Sequence, residues 1–166
     1  MIRIYEATTK DIKTIQNIAF ETWPKVYQSI ITPKQVEYML DLFYSENKLL
    51  ENVTIDNHKF LVIEEDNQPK GFAAIEHDYR KEKTTRLHKL YLLPESHGKG
   101  LGKLLLATVV EKSIQNSSEV ISLNVNRFNP AIVFYENAGF VIVGEEKLPI
   151  GQDFYMDDYK MELNIK

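Results

Sequence analysis

The chain has 166 residues, of which 43% are hydrophobic and 27% are charged, the composition of an ordinary globular protein. Its formal net charge of −4 argues against nucleic-acid binding, which relies on a concentrated excess of lysine and arginine. The absence of cysteine excludes disulfides, a thiolate nucleophile and a cysteine-ligated metal.

The N-terminal part of the chain predicts a strand followed by helices. Residues 2–7 form the strand, and Thr8 caps the first helix, which Trp23-Pro24 is expected to end. Thr32-Pro33 begins a second helix as its cap and first residue, because proline is favoured where no amide donor is needed. Gln35 is expected to complete a capping box with Thr32.

Strands predominate in the middle of the chain. Ser45 is expected to cap a third, short helix before them. Residues 59–65 and 71–79 predict two strands joined by a turn at 67–69, and residues 86–93 predict a third strand.

The second half of the chain alternates helices with strands. The predicted elements are a helix at 100–115, a strand at 120–126, a helix at 130–137, and strands at 140–148 and 154–164. Strands and helices do not alternate strictly over the whole chain. We therefore expect one domain, residues 1–166, with a mixed α/β (α+β) fold around a central sheet.

A glycine-rich loop follows the strand at 86–93 and opens the next helix. It reads His97-Gly98-Lys99-Gly100-Leu101-Gly102-Lys103. Backbone N–H groups at a helix N-terminus attract anions, and glycines let a phosphate approach the main chain closely. The pattern therefore predicts a phosphate-binding loop.

Two common types of phosphate-binding loop do not fit this sequence. A Walker A loop requires Ser or Thr after its lysine, where this chain has Leu104, which argues against a kinase-like enzyme. The third glycine comes one residue too early for a dinucleotide-binding fingerprint. A glycine-rich turn that merely caps a helix remains the alternative.

The second block is Asn129-Pro130-Ala131, followed by Phe134-Tyr135 and Gly139-Phe140. Together with the loop, it resembles the GNAT superfamily of acetyl-CoA-dependent N-acetyltransferases. The resemblance implies a central, twisted, mostly antiparallel sheet of about seven strands flanked by helices. It also implies an enzyme that transfers the acetyl group of acetyl-CoA to a primary amine through a tetrahedral intermediate.

The resemblance also implies the residues that bind acetyl-CoA. They lie at the end of the strand, in the loop and in the second block: Tyr91, Leu92, Leu93, His97, Gly98, Lys99, Gly100, Leu101, Gly102, Lys103, Asn129 and Tyr135. The backbone N–H of Leu92 is the expected oxyanion donor. His97 stands where the family usually has Gln or Arg, so we expect weaker or pH-dependent CoA affinity. Asn129 has a second interpretation as a helix cap.

Two residues are implied in proton transfer. Tyr135 matches the tyrosine that protonates the leaving thiolate in this family; the alternative is a packing tyrosine. His88 lies near the position where many members of the family carry a glutamate, and it is the candidate general base. The alternatives are a structural histidine, or a water chain with no dedicated base.

The acceptor is predicted from charge and from the C-terminal segment. Glu145, Glu146, Asp153, Asp157 and Asp158 form an acidic group that attracts cationic amines or is simply a solvated surface. Residues 151–162 are similar to diamine and spermidine acetyltransferases, which implies a polyamine. A protein N-terminus or lysine, an aminoglycoside, and a non-catalytic acetyl-CoA sensor remain alternatives.

The remaining expectations concern metals, partners and location. The four histidines show no metal-ligand spacing, so no metal cofactor is predicted. No apolar leader or long apolar segment occurs, so we expect a cytoplasmic protein without membrane or nucleic-acid partners. A homodimer is compatible with the chain.

Overall fold

The computed structural model describes all residues, 1–166, and contains one seven-stranded sheet in the order β1-β2-β3-β4-β5-β7-β6. The elements are β1 (Ile2–Glu6), α1 (Ile12–Val26), α2 (Pro33–Tyr44), α3 (Glu46–Thr54), β2 (Lys59–Glu65), β3 (Gln68–Glu76), β4 (Thr84–Leu92), α4 (Leu101–Gln115), β5 (Val120–Asn126), α5 (Ala131–Asn137), β6 (Val141–Gly151) and β7 (Phe154–Asn164). The predicted mixed fold with a mostly antiparallel sheet is confirmed.

The sheet opens at its centre. All neighbouring strands are antiparallel except β4 and β5, which pair in parallel over Thr84–Arg86 and Val120–Ser122 only. Strand β5 stays paired with β7 along its whole length, and β4 stays paired with β3. The second halves of β4 and β5 are therefore separated by a gap in the sheet, which we call the central gap.

Two hydrophobic cores cover the two faces of the sheet. Helices α1, α2 and α3 build the first core, in which Trp23 and Tyr44 pack with Phe72 of β3. Helices α4 and α5 build the second core, where Leu105 and Tyr135 are buried with strand residues. Side chains alternate between the faces along each strand. The central gap therefore connects the α1 face to the α4 face.

The predicted end of α1 is wrong. The helix continues through Pro24 to Val26. A proline in a helix removes a hydrogen bond, and it lies here in the final turns. Trp23 and Tyr27 on either side are only 5% and 7% exposed, so their burial stabilises the continued helix.

Two local predictions also differ from the structure. The Thr32 hydroxyl caps the Gln35 N–H at 3.1 Å, but the Gln35 side chain donates to the carbonyl oxygen of Tyr155 instead of completing the capping box. The turn after β2 is formed by Asp66 and Asn67, both with positive φ. A two-residue turn of this kind leaves the next residues free to begin β3.

No helix of this structure combines the length and the apolar character that crossing a bilayer requires.

Candidate active site

The backbone of Leu92 faces the central gap. The Leu93 N–H donates to the carbonyl oxygen of Lys70 at 2.8 Å, and antiparallel strands bond through every second residue. The N–H and C=O of Leu92 therefore point away from β3. The carbonyl oxygen is bonded by Nε2 of His97 at 3.1 Å, and the N–H has the direction that an oxyanion donor requires.

The glycine-rich loop presents a row of free amide donors. No N–H between Gly98 and Lys103 reaches a backbone acceptor; the first bond is from Leu104 to the Gly100 carbonyl oxygen. Gly98 and Gly100 have φ values of 79° and 80°, which are accessible to glycine at little cost. These donors at the N-terminus of α4 suit a diphosphate.

Glycines also bring the loop, β4 and α5 together. A Cβ at Gly102 would lie 3.3 Å from the Leu92 side chain and 3.6 Å from the ring of Phe134. A Cβ at Gly71 on β3 would meet the Tyr91 carbonyl oxygen at 2.5 Å, so only glycine fits there. The two sequence blocks are thus joined through direct packing.

Tyr135 is buried next to Phe134, whose ring packs against Gly102. It is 6% exposed and makes edge contacts with Phe134 and Phe140, at centroid distances of 5.3 and 5.5 Å. Burial, and then the neighbouring Tyr27, raise the pKa of Tyr135 well above its ordinary value of about 10. The phenol therefore stays protonated at neutral pH, as a proton donor must.

Three polar side chains form a cluster at the end of α1: Tyr27, Tyr91 and Asn129. The hydroxyl oxygens of Tyr27 and Tyr91 lie 2.8 Å apart. Burial raises the pKa of Tyr27 to about 12, while hydrogen bonds from Tyr91 and Asn129 oppose the shift. Asn129 Oδ1 also accepts the Ala131 N–H at 2.9 Å, at the first residue of α5.

His88 is held by other side chains. Its Nε2 lies 2.9 Å from Glu76 Oε1, and its ring stacks on that of His58 at a centroid distance of 4.1 Å. Burial, together with Lys89 and Arg86, lowers the pKa of His88 far below its ordinary value. A weakly basic imidazole is a poor proton acceptor.

The same cluster unites three metal-ligand side chains that are distant in sequence. One ligand atom each of His58, Glu76 and His88 lies within 4.8 Å of the others, which the sequence spacing did not indicate. Lys89 lowers the pKa of both imidazoles. A positive charge such as that of Lys89, which disfavours protonation of an imidazole, also disfavours binding of a divalent cation by the same side chains.

The acidic group near the C-terminus divides between the two faces of the sheet. Arg127 on the α5 face pairs with Glu145 at 3.3 Å and with Asp157 at 3.0 Å. Asp153 is exposed in the β6–β7 turn. Glu146 and Asp158 are register partners and share the opposite, α1 face.

Comparison with known proteins agrees with these features. The model of the Acetyltransferase (GNAT) family matches residues 14–140. The "Uncharacterized N-acetyltransferase YuaI" of Bacillus subtilis is 28% identical, over 90% of this chain and 86% of its own length. The spermidine N(1)-acetyltransferase of Thermoplasma acidophilum is 27% identical, over 94% of this chain and 96% of its own length.

Solved structures show the same architecture. The PaiA N-acetyltransferase of Thermoplasma acidophilum in complex with coenzyme A has a TM-score of 0.82 and 25% identity, with 99% of each chain covered. The ribosomal-protein-S18-alanine N-acetyltransferase of Escherichia coli has a TM-score of 0.76 at 19% identity, over 100% of this chain and 95% of its own. The second similarity concerns the fold alone.

Proposed function

The chain belongs to the GNAT family of acetyl-CoA-dependent N-acetyltransferases, and we propose that its acceptor is a cationic primary amine of the diamine or polyamine class. The single observation that carries this proposal is the position of two carboxylates, Asp158 of β7 and Glu146 of β6, on the α1 face next to β5, which borders the central gap. A similarity to a spermidine acetyltransferase over nearly the whole chain also supports it.

The residues of this chain fit coenzyme A at two places. The free N–H groups from Gly98 to Lys103 suit its diphosphate, with positive charge from Lys99 and Lys103 nearby. The second half of β4, where it no longer pairs with β5, offers backbone groups to the amides of the pantetheine arm. When bound, acetyl-CoA supplies an acetyl group activated as a thioester.

Two groups in the gap are proposed to act on the acetyl group. The Leu92 N–H donates to the acetyl oxygen as negative charge develops there, and an amide donor of this kind typically contributes about 10²–10³-fold to the rate. Tyr135 donates its proton to the leaving sulfur. Its buried position excludes water, which makes this direct transfer the shortest route for the proton.

The acceptor side of the gap favours a cation. Glu146 and Asp158 lie on the α1 face beyond β5, and Lys160 Nζ is 3.9 Å from Glu146 Oε2 but leaves Asp158 without an ion pair. A carboxylate in a partly enclosed, low-dielectric groove attracts an ammonium more strongly than a carboxylate in water does. A substrate with several ammonium groups also contacts both carboxylates at once.

A comparison of amines tests the acceptor class. Release of free thiol from acetyl-CoA should be faster with spermidine or putrescine than with a monoamine of equal length that carries a neutral end. The protein should also melt at a higher temperature with acetyl-CoA, since a ligand at 100 times its Kd adds about 2.7 kcal/mol. Equal rates for charged and neutral acceptors contradict the polyamine proposal. A melting shift without thiol release for any amine supports a sensor instead.

A further inference from the structure

Asp158 lies on β7, one strand away from the central gap. It is opposite Asn126 of β5 and opposite Glu146 of β6, in the part of the sheet where β5 no longer pairs with β4. Opposed residues of an antiparallel pair have their side chains on the same face, so Asp158, Asn124 and Asn126 share the α1 face. Asp158 is only 5% exposed, whereas most aspartates are at the surface.

The surroundings leave Asp158 short of partners. Its sequence neighbour Asp157 pairs with Arg127 on the other face, and Glu146 pairs with Lys160. Asp158 forms no ion pair within 4 Å, and the nearby Asn124 side chain only partly opposes the effect of burial on the pKa of Asp158. A buried carboxylate without a cationic partner is unfavourable.

Asn124 adds a second unsatisfied acceptor beside Asp158. Its Oδ1 is buried and has no hydrogen-bond partner, while its Nδ2 is 3.5 Å from Glu146 Oε2. Buried polar atoms are rarely left unpaired unless a ligand or water completes them. The Asp158 carboxylate and Asn124 Oδ1 lie on one face of the sheet, and both are acceptors of the kind that an ammonium group, which has three donors, requires.

We propose that Asp158 and Asn124 Oδ1 hold the reacting ammonium group of the acceptor, and that Asp158 takes its proton before acetyl transfer. This inference rests on the proposed acetyl transfer to a cationic amine. It makes Asp158 a catalytic residue and Asn124 a substrate-positioning residue. It also provides a base for the reaction in place of His88, because burial lowers the pKa of His88 far below its ordinary value.

The charged groups around Asp158 are suited to this role. Burial, and then Glu146 and Asp157, raise the pKa of Asp158 to about 6, while Arg86 and the Asn124 side chain oppose the shift. The Tyr27 phenol faces the same carboxylate from the end of α1. Asp158 is consequently ionised at neutral pH and is a stronger base than an exposed aspartate.

The protons and bonds balance in this sequence. Asp158 accepts one proton from the ammonium, and the neutral amine forms a bond to the acetyl carbon as the carbon–sulfur bond breaks. The attacking nitrogen loses a second proton, which replaces the proton that Tyr135 gives to the sulfur. Asp158 then releases its proton to water, so that one amide, one thiol and one proton result.

Steady-state kinetics of Asp158→Asn as a function of pH tests the inference, with spermidine as acceptor. The control is Glu162→Gln, which removes one charge from the same face of β7 at a point where β4 and β5 are still paired. The wild type should show kcat/KM rising with pH through about 6, because the ionised form of Asp158 is the active one. Asp158→Asn should lose this rise and about 10²-fold or more of kcat/KM at about pH 7.5.

Two further measurements distinguish the possible outcomes. Asn124→Ala should raise KM for spermidine about tenfold with a smaller change in kcat, and all variants should keep the melting shift with acetyl-CoA. An Asp158→Asn enzyme within threefold of the wild type, with its pH dependence intact, overturns the role of Asp158 alone. A wild type that binds acetyl-CoA but acetylates no amine overturns the proposed function, and this inference with it.

Discussion

Nε2 of His88 lies 2.9 Å from Oε1 of Glu76, on adjacent strands of the sheet. Because a carboxylate only accepts hydrogen bonds, Nε2 carries the proton of the neutral ring, and burial lowers the pKa of His88. Lys89 and Arg86 flank the ring and lower its pKa further. The geometry therefore favours a structural role for His88, one of the alternatives that the sequence left open.

Replacement of His88 tests this directly. We expect His88→Asn to keep the rise of kcat/KM near pH 6 and to stay within about threefold of the wild-type rate, because the proton acceptor is elsewhere. Loss of a partly buried hydrogen bond to a carboxylate should lower the free energy of unfolding by about 1–3 kcal/mol. Glu76→Gln, which changes the other partner of this hydrogen bond, is the control for the effect on stability. Disappearance of the pH dependence in His88→Asn would identify His88 as the base.

Removal of the Tyr135 hydroxyl should affect the chemical step alone. Tyr135→Phe keeps the edge contacts with Phe134 and Phe140, so folding should be preserved. We expect kcat to fall about 10²-fold because the leaving sulfur loses its proton donor, whereas the melting shift with acetyl-CoA should persist. An unchanged kcat would leave Tyr135 as a packing residue.

Gly100→Ala tests the phosphate-binding loop. Space is available for the methyl group, but φ is 80°, and an L-residue in this region costs roughly 1–2 kcal/mol. Relief of that strain should turn neighbouring N–H groups away and weaken acetyl-CoA binding about tenfold by calorimetry. Gly144→Ala on β6 is the control, because its Cβ would make an ordinary 3.6 Å contact without positive φ. Equal affinities of the two variants would contradict the assignment.

Asp158→Asn should stabilise the protein at alkaline pH. The pKa of Asp158 is about 6 in the folded protein, against an ordinary value of 3.8. The folded state therefore binds the proton more tightly, and the contribution of Asp158 to stability is complete below about pH 4 and lost as the pH rises through about 6. A shift of this size corresponds to roughly 3 kcal/mol at most.

Denaturant unfolding at two pH values measures this difference. The asparagine variant should be clearly more stable than the wild type at pH 8. The two should be close in stability at about pH 3, where the wild-type carboxyl is protonated in the folded state and largely so in the unfolded state. An equal stability difference at both pH values would show that burial of the Asp158 charge is not the cause.

Local chemistry explains why much of this site can be predicted from sequence. The phosphate-binding loop depends on glycines and amides within seven residues, and its strand and helix neighbours follow from hydrophobic periodicity. The end of α1 and the Gln35 capping box were mispredicted, because packing of Tyr27 and a hydrogen bond to Tyr155 override the local signals.

The residues proposed to bind the acceptor amine could be identified only from the tertiary structure. Asp158 is one of six acidic residues between positions 145 and 162, and nothing in the sequence separates it from Asp157. Strand alternation places adjacent residues on opposite faces, and only the pairing of β7 with β5 shows which face borders the gap. Asn124 was missed for the same reason, although its place in the alternating segment 120–126 marks it as facing away from the buried residues.

Direct detection of the product tests the central claim, that the chain transfers an acetyl group to a cationic amine. The purified protein is incubated with isotopically labelled acetyl-CoA and an equimolar mixture of spermidine, putrescine and a neutral-ended monoamine, and the amines are examined by mass spectrometry. We expect the label on the diamine or polyamine ahead of the monoamine, and much less of it with Tyr135→Phe. Intact acetyl-CoA and unlabelled amines, from a protein that acetyl-CoA stabilises against heat, would contradict the claim.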